Sequence, residues 1–467
     1  MNAKIPLAGL ISLLAACFLA AGCHKNQPTP PPAEKAKATE IVSAEKTSFD
    51  EVTAKLNKGG NLFVYMDTQQ IMIGLSNHIA AASNFVTALP AIPSDKRETA
   101  GRVIGALNGL AINSGVDEIS GLGMSSIARE PDFYYGKLVL YHYPGQNNGV
   151  IWSLFGAAPH PLDVDLLPET TALAFFSDFD LQMAWTNINH LLSGLDIPGV
   201  ADGLRQAPKQ FHQQTGLALD DTLKSLGGDY GVIFTLDEHK KITLPIPAHK
   251  LEVPSPGVAI ILKVNDDTIF NRVDEALKNA PALSALLTKV DDPDLKMRTV
   301  NVPLPMPVEL RPSIARSGDF LIVASSDTLV REILAVKSGQ KKGFKATDEF
   351  KKLSQGIPEE GNNFALLTRA FSRTALDVGQ QFAQDDADAN SAGQKLFNAE
   401  TNSCSYSVGV NGADGWEGFA NGNHNMQTMI LPGVAAAGMV AGVAIPNFVK
   451  AREAAEVARK KSSQNTP

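Results

Sequence analysis

A short apolar strand followed by an amphipathic helix recurs along this chain, and that recurrence restricts the fold more than any other feature. Residues 61–66 form a strand-like run that enters Asp67-Thr68 and a helix-like stretch over 71–82. Residues 171–176 enter Ser177-Asp178 and then a helical pattern over 181–192. Residues 257–262 lead through Asn265-Asp266-Asp267 to a stripe of Phe270, Val273 and Leu277. Residues 319–324 lead through Ser325-Ser326-Asp327 to Leu329, Ile333 and Leu334, stopping at Gly339, and residues 363–367 open a fifth unit. A period of two marks the strands and a period of 3.6 the helices. The Asp, Ser or Asn at each clear junction is the residue type that accepts hydrogen bonds from the free N–H groups of a first helical turn.

Between these units the chain turns back on itself. Residues 134–143 and 149–155 flank Pro144-Gly145-Gln146-Asn147-Asn148, and residues 403–410 and 416–420 flank Asn411-Gly412-Ala413-Asp414-Gly415. Such clusters supply the positive-φ positions of tight turns, so each pair reads as an antiparallel hairpin. The expected class is α+β, with repeated strand–helix units, antiparallel hairpins and helices packed on one face of the sheets. Residues 97–114 add a long helix in which Gly101, Gly105 and Gly109 recur at four-residue spacing, predicting close approach of another element.

The N-terminus carries an address. Lys4 precedes an almost unbroken apolar run over residues 5–19, closed by Leu19-Ala20-Ala21-Gly22-Cys23. This is the layout of an export signal. The small residues ending at Cys23 resemble the lipobox of bacterial lipoproteins, which implies that the Cys23 thiol receives a diacylglycerol and becomes the new N-terminus. Leu14-Ala15-Ala16-Cys17 is the closer lipobox match in isolation, but cleavage there would halve the apolar run and leave Phe18-Leu19-Ala20-Ala21 exposed. Cys23 stands where the apolar run ends and a polar, Pro-rich tether begins, so Cys23 is the expected site. An uncleaved signal anchor is the rival, although the run is short for a span. His24 follows the cysteine in place of the Asp that resembles an inner-membrane retention signal, a lean toward the outer membrane.

Gly216-Leu217-Ala218-Leu219-Asp220-Asp221-Thr222-Leu223-Lys224-Ser225-Leu226-Gly227-Gly228-Asp229-Tyr230-Gly231-Val232 resembles an element of an uncharacterised family of exported bacterial proteins. Leu167-Pro168-Glu169-Thr170-Thr171-Ala172 and the block over 318–326 fit the same family, so the resemblance covers roughly residues 166–370. It implies fold and export and no chemistry. Gly115-Val116-Asp117-Glu118-Ile119 reads as a degenerate copy in an N-terminal module, suggesting duplication.

Residues 429–449 carry no charge over 21 positions, about the length of a membrane-spanning helix. A soluble helix packed on the body is the rival reading, but such a helix normally keeps one polar stripe. Lys450, Arg452, Arg459, Lys460 and Lys461 follow against Glu453 and Glu456, a local charge of +3 that favours a cytoplasmic tail. The many Ala and Gly residues make insertion energetically marginal. Val443-Ala444-Ile445-Pro446-Asn447-Phe448-Val449-Lys450-Ala451-Arg452 resembles the N-terminal helix of type IV pilins and type II secretion pseudopilins. Here it lies at the opposite end of the chain and lacks the peptidase-site run, which argues against pilin processing. Gly438 and Gly442 make a G-x-x-x-G pair within a stretch already rich in small residues.

Chemistry is hard to find. Apolar residues make up 44% of the chain and charged residues 19%, enough for a sizeable core. Removing residues 1–22, which carry only Lys4, changes the net charge from −8 to −9, and no basic stripe is present, so nucleic acid is not an expected partner. The nine histidines are scattered without metal-ligand spacing. No Walker loop or G-x-S-x-G elbow occurs. Asp386, Asp388 and Asn390 begin like a calcium loop, but Ser391 and Phe397 replace the glycine and the bidentate glutamate, so a solvated acidic loop is expected. Beyond the signal region Cys404 is the one cysteine. It alternates with Tyr406, Val408 and Val410, predicting a buried, slowly reacting thiol without a disulfide partner.

The expected organisation is a signal peptide (1–22), a tether (23–47), an N-terminal α+β module (48–165), a larger and duplicated α+β region (166–425), an apolar helix that spans a membrane (429–449) and a basic tail (450–467). The expected function is a lipid-anchored cell-envelope protein serving as a non-enzymatic binding or structural component, with no cofactor and no metal. The body is expected in the periplasm, attached to the membrane through Cys23 and the C-terminal helix and open to envelope protein partners, with inner against outer membrane left open. Two alternatives stand beside it: an accessory of a type IV pilus or type II secretion system, and an unrecognised hydrolase whose Ser, His and Asp residues meet only on folding.

Overall fold

The computed structural model describes residues 47–69, 118–145, 149–154, 158–193, 200–246, 249–302, 310–383 and 403–423, with isolated positions between 101 and 115. The signal region with Cys17 and Cys23, the tether, most of the glycine-spaced helix, the acidic loop and residues 429–467 lie outside them.

The strands, in chain order, are β1 (Leu62–Met66), β2 (Gly121–Glu130), β3 (Phe133–Tyr141), β4 (His160–Pro161), β5 (Thr171–Asp178), β6 (Leu226–Ile246), β7 (His249–Val264) and β8 (Leu287–Asp292). They continue with β9 (Leu295–Val300), β10 (Ser313–Ser317), β11 (Phe320–Ala324), β12 (Glu360–Gly361), β13 (Asn363–Leu367), β14 (Ser405–Gly412) and β15 (Gly415–Gly422). The helices are α1 (Ser48–Lys55), α2 (Val150–Leu154), α3 (Leu181–Ser193), α4 (Val200–Thr215), α5 (Leu219–Ser225), α6 (Thr268–Asn279), α7 (Pro281–Ser284), α8 (Asp327–Lys337), α9 (Asp348–Leu353) and α10 (Arg369–Ala383).

Among the described residues, thirteen strands form one antiparallel sheet, so the chain is α+β. Its order is β1-β2-β3-β15-β14-β13-β5-β6-β7-β11-β10-β9-β8, while β4 and β12 make a separate two-stranded strap. One arrangement occurs three times. A strand, a long connection and a hairpin give β1-β2-β3, β5-β6-β7 and β13-β14-β15, each folded so that the hairpin lies beside its own first strand. The third strands β3 and β15 join two of these units, and the first strands β13 and β5 join two more. The sheet therefore runs unbroken across residue 165, and the N-terminal part pairs with the last described strand.

The main core lies on one face. Phe176, Ile233, Ile261, Ile322, Phe364, Leu366, Tyr406 and Val408 project there and are covered by Leu329, Val330 and Ile333 of α8 and by Phe350 and Leu353 of α9. On the other face α6 places Phe270 against Leu321, Ile314 and Val264, and Phe371 of α10 meets Phe234 edge-on at 6.2 Å. Helices thus occupy both faces where the sequence pattern puts them on one. The reason lies in β7 and β11, whose continuous apolar runs present large apolar residues to both sides, and on the second side Val264 and Leu321 are the ones α6 covers. At the far end α1, closed by a Thr47/Asp50 capping box, sets Val52 over Gly123, where a Cβ would stand 2.3 Å from the valine.

The helix expected over residues 71–82 lies outside the described residues, and the other three strand–helix junctions hold with two changes. Ser326 accepts from Leu329 N–H and caps α8 as its position predicts, and Gly339 ends that helix with φ 73°. Asp178, by contrast, is the buried end of β5, and Asp180 accepts from Met183 N–H in its place. Asp267 turns toward Lys296 and Arg316, leaving Asp266 to accept from Thr268 N–H.

The hairpin over 403–420 is present as β14–β15. The one expected over 134–155 is not, because residues 150–154 are helical and β3 turns back onto β2 through residues 131–132. Trp152 in that helix packs on His142 at 4.5 Å, an aromatic contact that wins over strand propensity. Among the described residues nothing stands within 4 Å of a Cβ built at Gly105, one of the three glycines for which a close approach is predicted. Cys404 is 1% exposed and packs with Tyr406 and Val408, and burial pushes its thiol above the usual value.

Candidate functional site

The ends of the central strands β5, β6 and β7 carry two constellations of polar side chains. Thr171 lies at one end of β5 and Asp178 at the other, so the two are separated by the length of that strand.

The larger constellation is a cleft of about 700 Å³ at the Thr171 end. Thr235 of β6 faces Gly257 of β7, where a Cβ would stand 2.5 Å from the threonine hydroxyl, so glycine keeps that hydroxyl clear. Beyond Asp237 the β6–β7 register slips, and Glu238, His239 and Lys240 bulge into the cleft mouth. Arg373 of α10 closes that mouth with hydrogen bonds of 2.9 and 3.1 Å to the Glu238 carboxylate. The remaining wall consists of the starts of three helices. Ser326 caps α8, Thr347 caps α9 by accepting from Phe350 N–H, and Glu349 accepts from Arg369 N–H at the start of α10.

The chemistry of this lining selects among ligands. Three helix starts would attract an anion if their N–H groups were open. Here the protein's own hydroxyls and the Glu349 carboxylate already take those donors, and Asp327, Asp348 and Glu349 set negative charge in two first turns. Glu169, Asp237, Glu238, Glu332 and Glu349 stand against Lys240, Lys341 and Arg373, so the cleft fits neither a polyanion nor a polycation. Hydroxyls of Thr170, Thr235, Ser255, Ser325 and Thr328 line the cleft with groups that can both donate and accept. Among the described lining residues Phe344 is the one Phe, Tyr or Trp, and it is buried and offers no stacking platform.

The second constellation closes the opposite strand ends. The strap formed by β4 and β12 brings His160 to the sheet, where its Nε2 lies 3.5 Å from Asp178 Oδ2 and 3.4 Å from Asp229 Oδ1. Asn362 donates to Asp178 Oδ2 at 2.8 Å, and Lys263 donates to Asp229 Oδ2 at 2.9 Å. Asp178 Oδ1 is buried without a hydrogen bond. Burial pushes the Asp178 carboxyl above the usual carboxylate range, against the opposing effects of Asn362 and His160. Among the described residues no three His, Cys, Asp or Glu side chains are arranged to hold a metal ion. A charge-rich fastening of strap to sheet is what this geometry provides.

That fastening sets a pH dependence. The folded protein binds the Asp178 proton more tightly than the unfolded chain does. Its contribution to stability is therefore full below the ordinary carboxylate value and is lost as pH rises through the raised folded value. Asp163, raised by burial against the attraction of Lys337, has the same sign. Asp274, held below the usual range by its hydrogen bonds from Arg298, has the opposite sign and loses its contribution as pH falls below about 4. Stability is expected to peak on the mildly acidic side, and Asp178→Asn is expected to flatten the decline toward neutrality. Urea midpoints across that range check this, and an Asp178→Asn profile identical to wild type contradicts it.

Sequence reading missed both constellations. Asp178, Asp229 and His160 are far apart along the chain, and their only local sign is an Asp beside Gly227-Gly228. The remaining described histidines do not gather along the chain's elements: His142 is buried against Trp152, His190 and His212 lie on α3 and α4, His239 lines the cleft and His249 opens β7. Among the described residues no helix is long and apolar enough to cross a membrane, and residues 429–449 lie outside them. No family model, curated protein or solved structure matches this chain.

Proposed function

We propose that this is a lipid-anchored binding protein of the bacterial cell envelope, held by its Cys23 lipid and taking a neutral or zwitterionic, hydroxyl-rich ligand of the glycan class in the cleft between β5–β7 and the starts of α8, α9 and α10. The cleft carries the reading. Its volume falls in the range of small-ligand sites, and its mixed charges and dense hydroxyls match a ligand that both donates and accepts hydrogen bonds. The export signal and the lipobox-like end at Cys23 support the location, where envelope glycans are at hand. The reading is non-enzymatic. In the cleft the hydroxyls of Ser326, Thr347 and Thr368 are engaged by caps and backbone carbonyls, so none of these three is set up as a nucleophile beside a base.

Thr328 is the residue to test. It is exposed on the first turn of α8 and lines the cleft, so Thr328→Trp fills the space without touching the core. Calorimetric titration of the mature protein with soluble peptidoglycan fragments is expected to show binding that Thr328→Trp weakens at least about tenfold, a loss of about 1.4 kcal/mol. The unfolding midpoint is expected to stay unchanged. Equal binding by both proteins overturns the assignment of the cleft, and no binding to wild type by any fragment overturns the ligand class.

A further inference from the structure

One apolar surface of the sheet has no described cover. Phe175 of β5, Val232 of β6, Ile260 of β7 and Val323 of β11 are cross-strand partners in a single row. They are 50%, 39%, 44% and 40% exposed, on the face opposite the main core. Val258, one row toward the cleft, is also exposed. The row is bounded on both sides. Toward the cleft Phe234 lies under Phe371 of α10, away from it Leu262 and Leu321 lie with Phe270 of α6, and at its lateral end the row runs into Ile314 of β10, which is buried with that same phenylalanine. Four large apolar side chains side by side at the middle of a sheet form a contiguous patch of the kind that marks a contact surface.

We propose that this row is the seat of residues 429–449 of the same chain. Three observations point to that occupant. The segment has 21 residues without a charge, so it gains by burial along its length, yet its many Ala and Gly residues make bilayer insertion marginal. Those small residues, Gly433, Ala435, Ala436, Gly438, Ala441 and Gly442 among them, complement a row of large side chains by allowing close approach. The segment also starts within reach. The last described strand stops at Gly422, and β15, β14, β13 and β5 are successive neighbours in the sheet, a lateral distance of roughly 14 Å. Six residues, 423–428, bridge up to roughly 20 Å when extended. The segment then serves as a cover for the sheet in place of a second membrane attachment, and Cys23 is left as the sole anchor.

The test uses the full chain in its native membrane, carrying Ile260→Cys and Ala437→Cys together. Mild oxidation is expected to link the two positions within one chain, as read by mass spectrometry of the joined peptides. In the full chain with Ile260→Cys alone, a membrane-impermeant maleimide is expected to label position 260 at least tenfold more slowly than in the same chain lacking residues 424–467. Equal labelling with no intrachain link overturns the proposal. A link between position 260 of two chains assigns the row to a second copy and also overturns it. Free labelling of position 260, with position 437 shielded only while the bilayer is intact, assigns the segment to the membrane and overturns it as well.

Discussion

Asp274→Ala is expected to destabilise the protein by about 3–5 kcal/mol, because it strands a buried guanidinium. Arg298 is 5% exposed on β9. Its Nε and Nη2 donate to the two Asp274 oxygens of α6 at 2.6 and 3.2 Å, its Nη1 reaches Asp291 at 2.7 Å, and its plane lies 5.4 Å from the Phe270 ring centroid. The carboxylate thus fastens α6 to the sheet through one bidentate contact. Losing it leaves two donors facing apolar side chains, whereas losing the half-exposed Lys278 partner is expected to cost under about 1 kcal/mol. Replacing both members by Leu and Met is expected to recover most of the loss, since the penalty comes from the two buried guanidinium donors left without a carboxylate. Chemical denaturation of the three variants checks the order. An Asp274→Ala protein as stable as Lys278→Ala contradicts it.

Gly231→Val is expected to cost about 3 kcal/mol by a different route, overpacking in a filled core. A Cβ at Gly231 would stand 2.2 Å from the Phe176 ring. That ring is fixed in turn by stacking on Phe364, with centroids 4.8 Å apart and planes 12° from parallel. The glycine is therefore a space-maker for an aromatic stack at the join between two of the three-stranded units. Phe176→Leu in the same chain is expected to relieve part of the strain, so the double variant is expected to be more stable than the sum of the singles predicts. Strict additivity in thermal unfolding would show that the stack does not resist the added side chain.

The two sites also show where reading the sequence succeeds. The strands β5, β11, β13 and β14 were legible because each alternates or runs apolar between polar junctions, and α6 and α8 because their stripes are regular. β2 was not, since Gly121, Gly123 and Ser125 give the face under α1 no apolar signal. Those positions are small because Val52 and Leu56 of α1 pack over them, a contact across more than sixty residues. The joins between units, β3 with β15 and β13 with β5, leave no local trace either, and they place the cleft and the His160 fastening at opposite strand ends. Asp178 shows the cost of a local rule. Its position suits a helix cap, and only the strap residue Asn362, brought in from far along the chain, explains its burial. The proposed export, by contrast, rests on residues 1–23 alone, because a signal peptide acts before folding.

The account depends first on a body displayed in the envelope from a lipidated N-terminus. Mass spectrometry of the intact chain purified from membranes tests this most directly. The expected species begins at Cys23, lacks residues 1–22 and carries the mass of a diacylglycerol on that residue, with Cys23→Ser leaving an unprocessed precursor. A chain that retains Met1, or that carries its lipid on Cys17, contradicts the account.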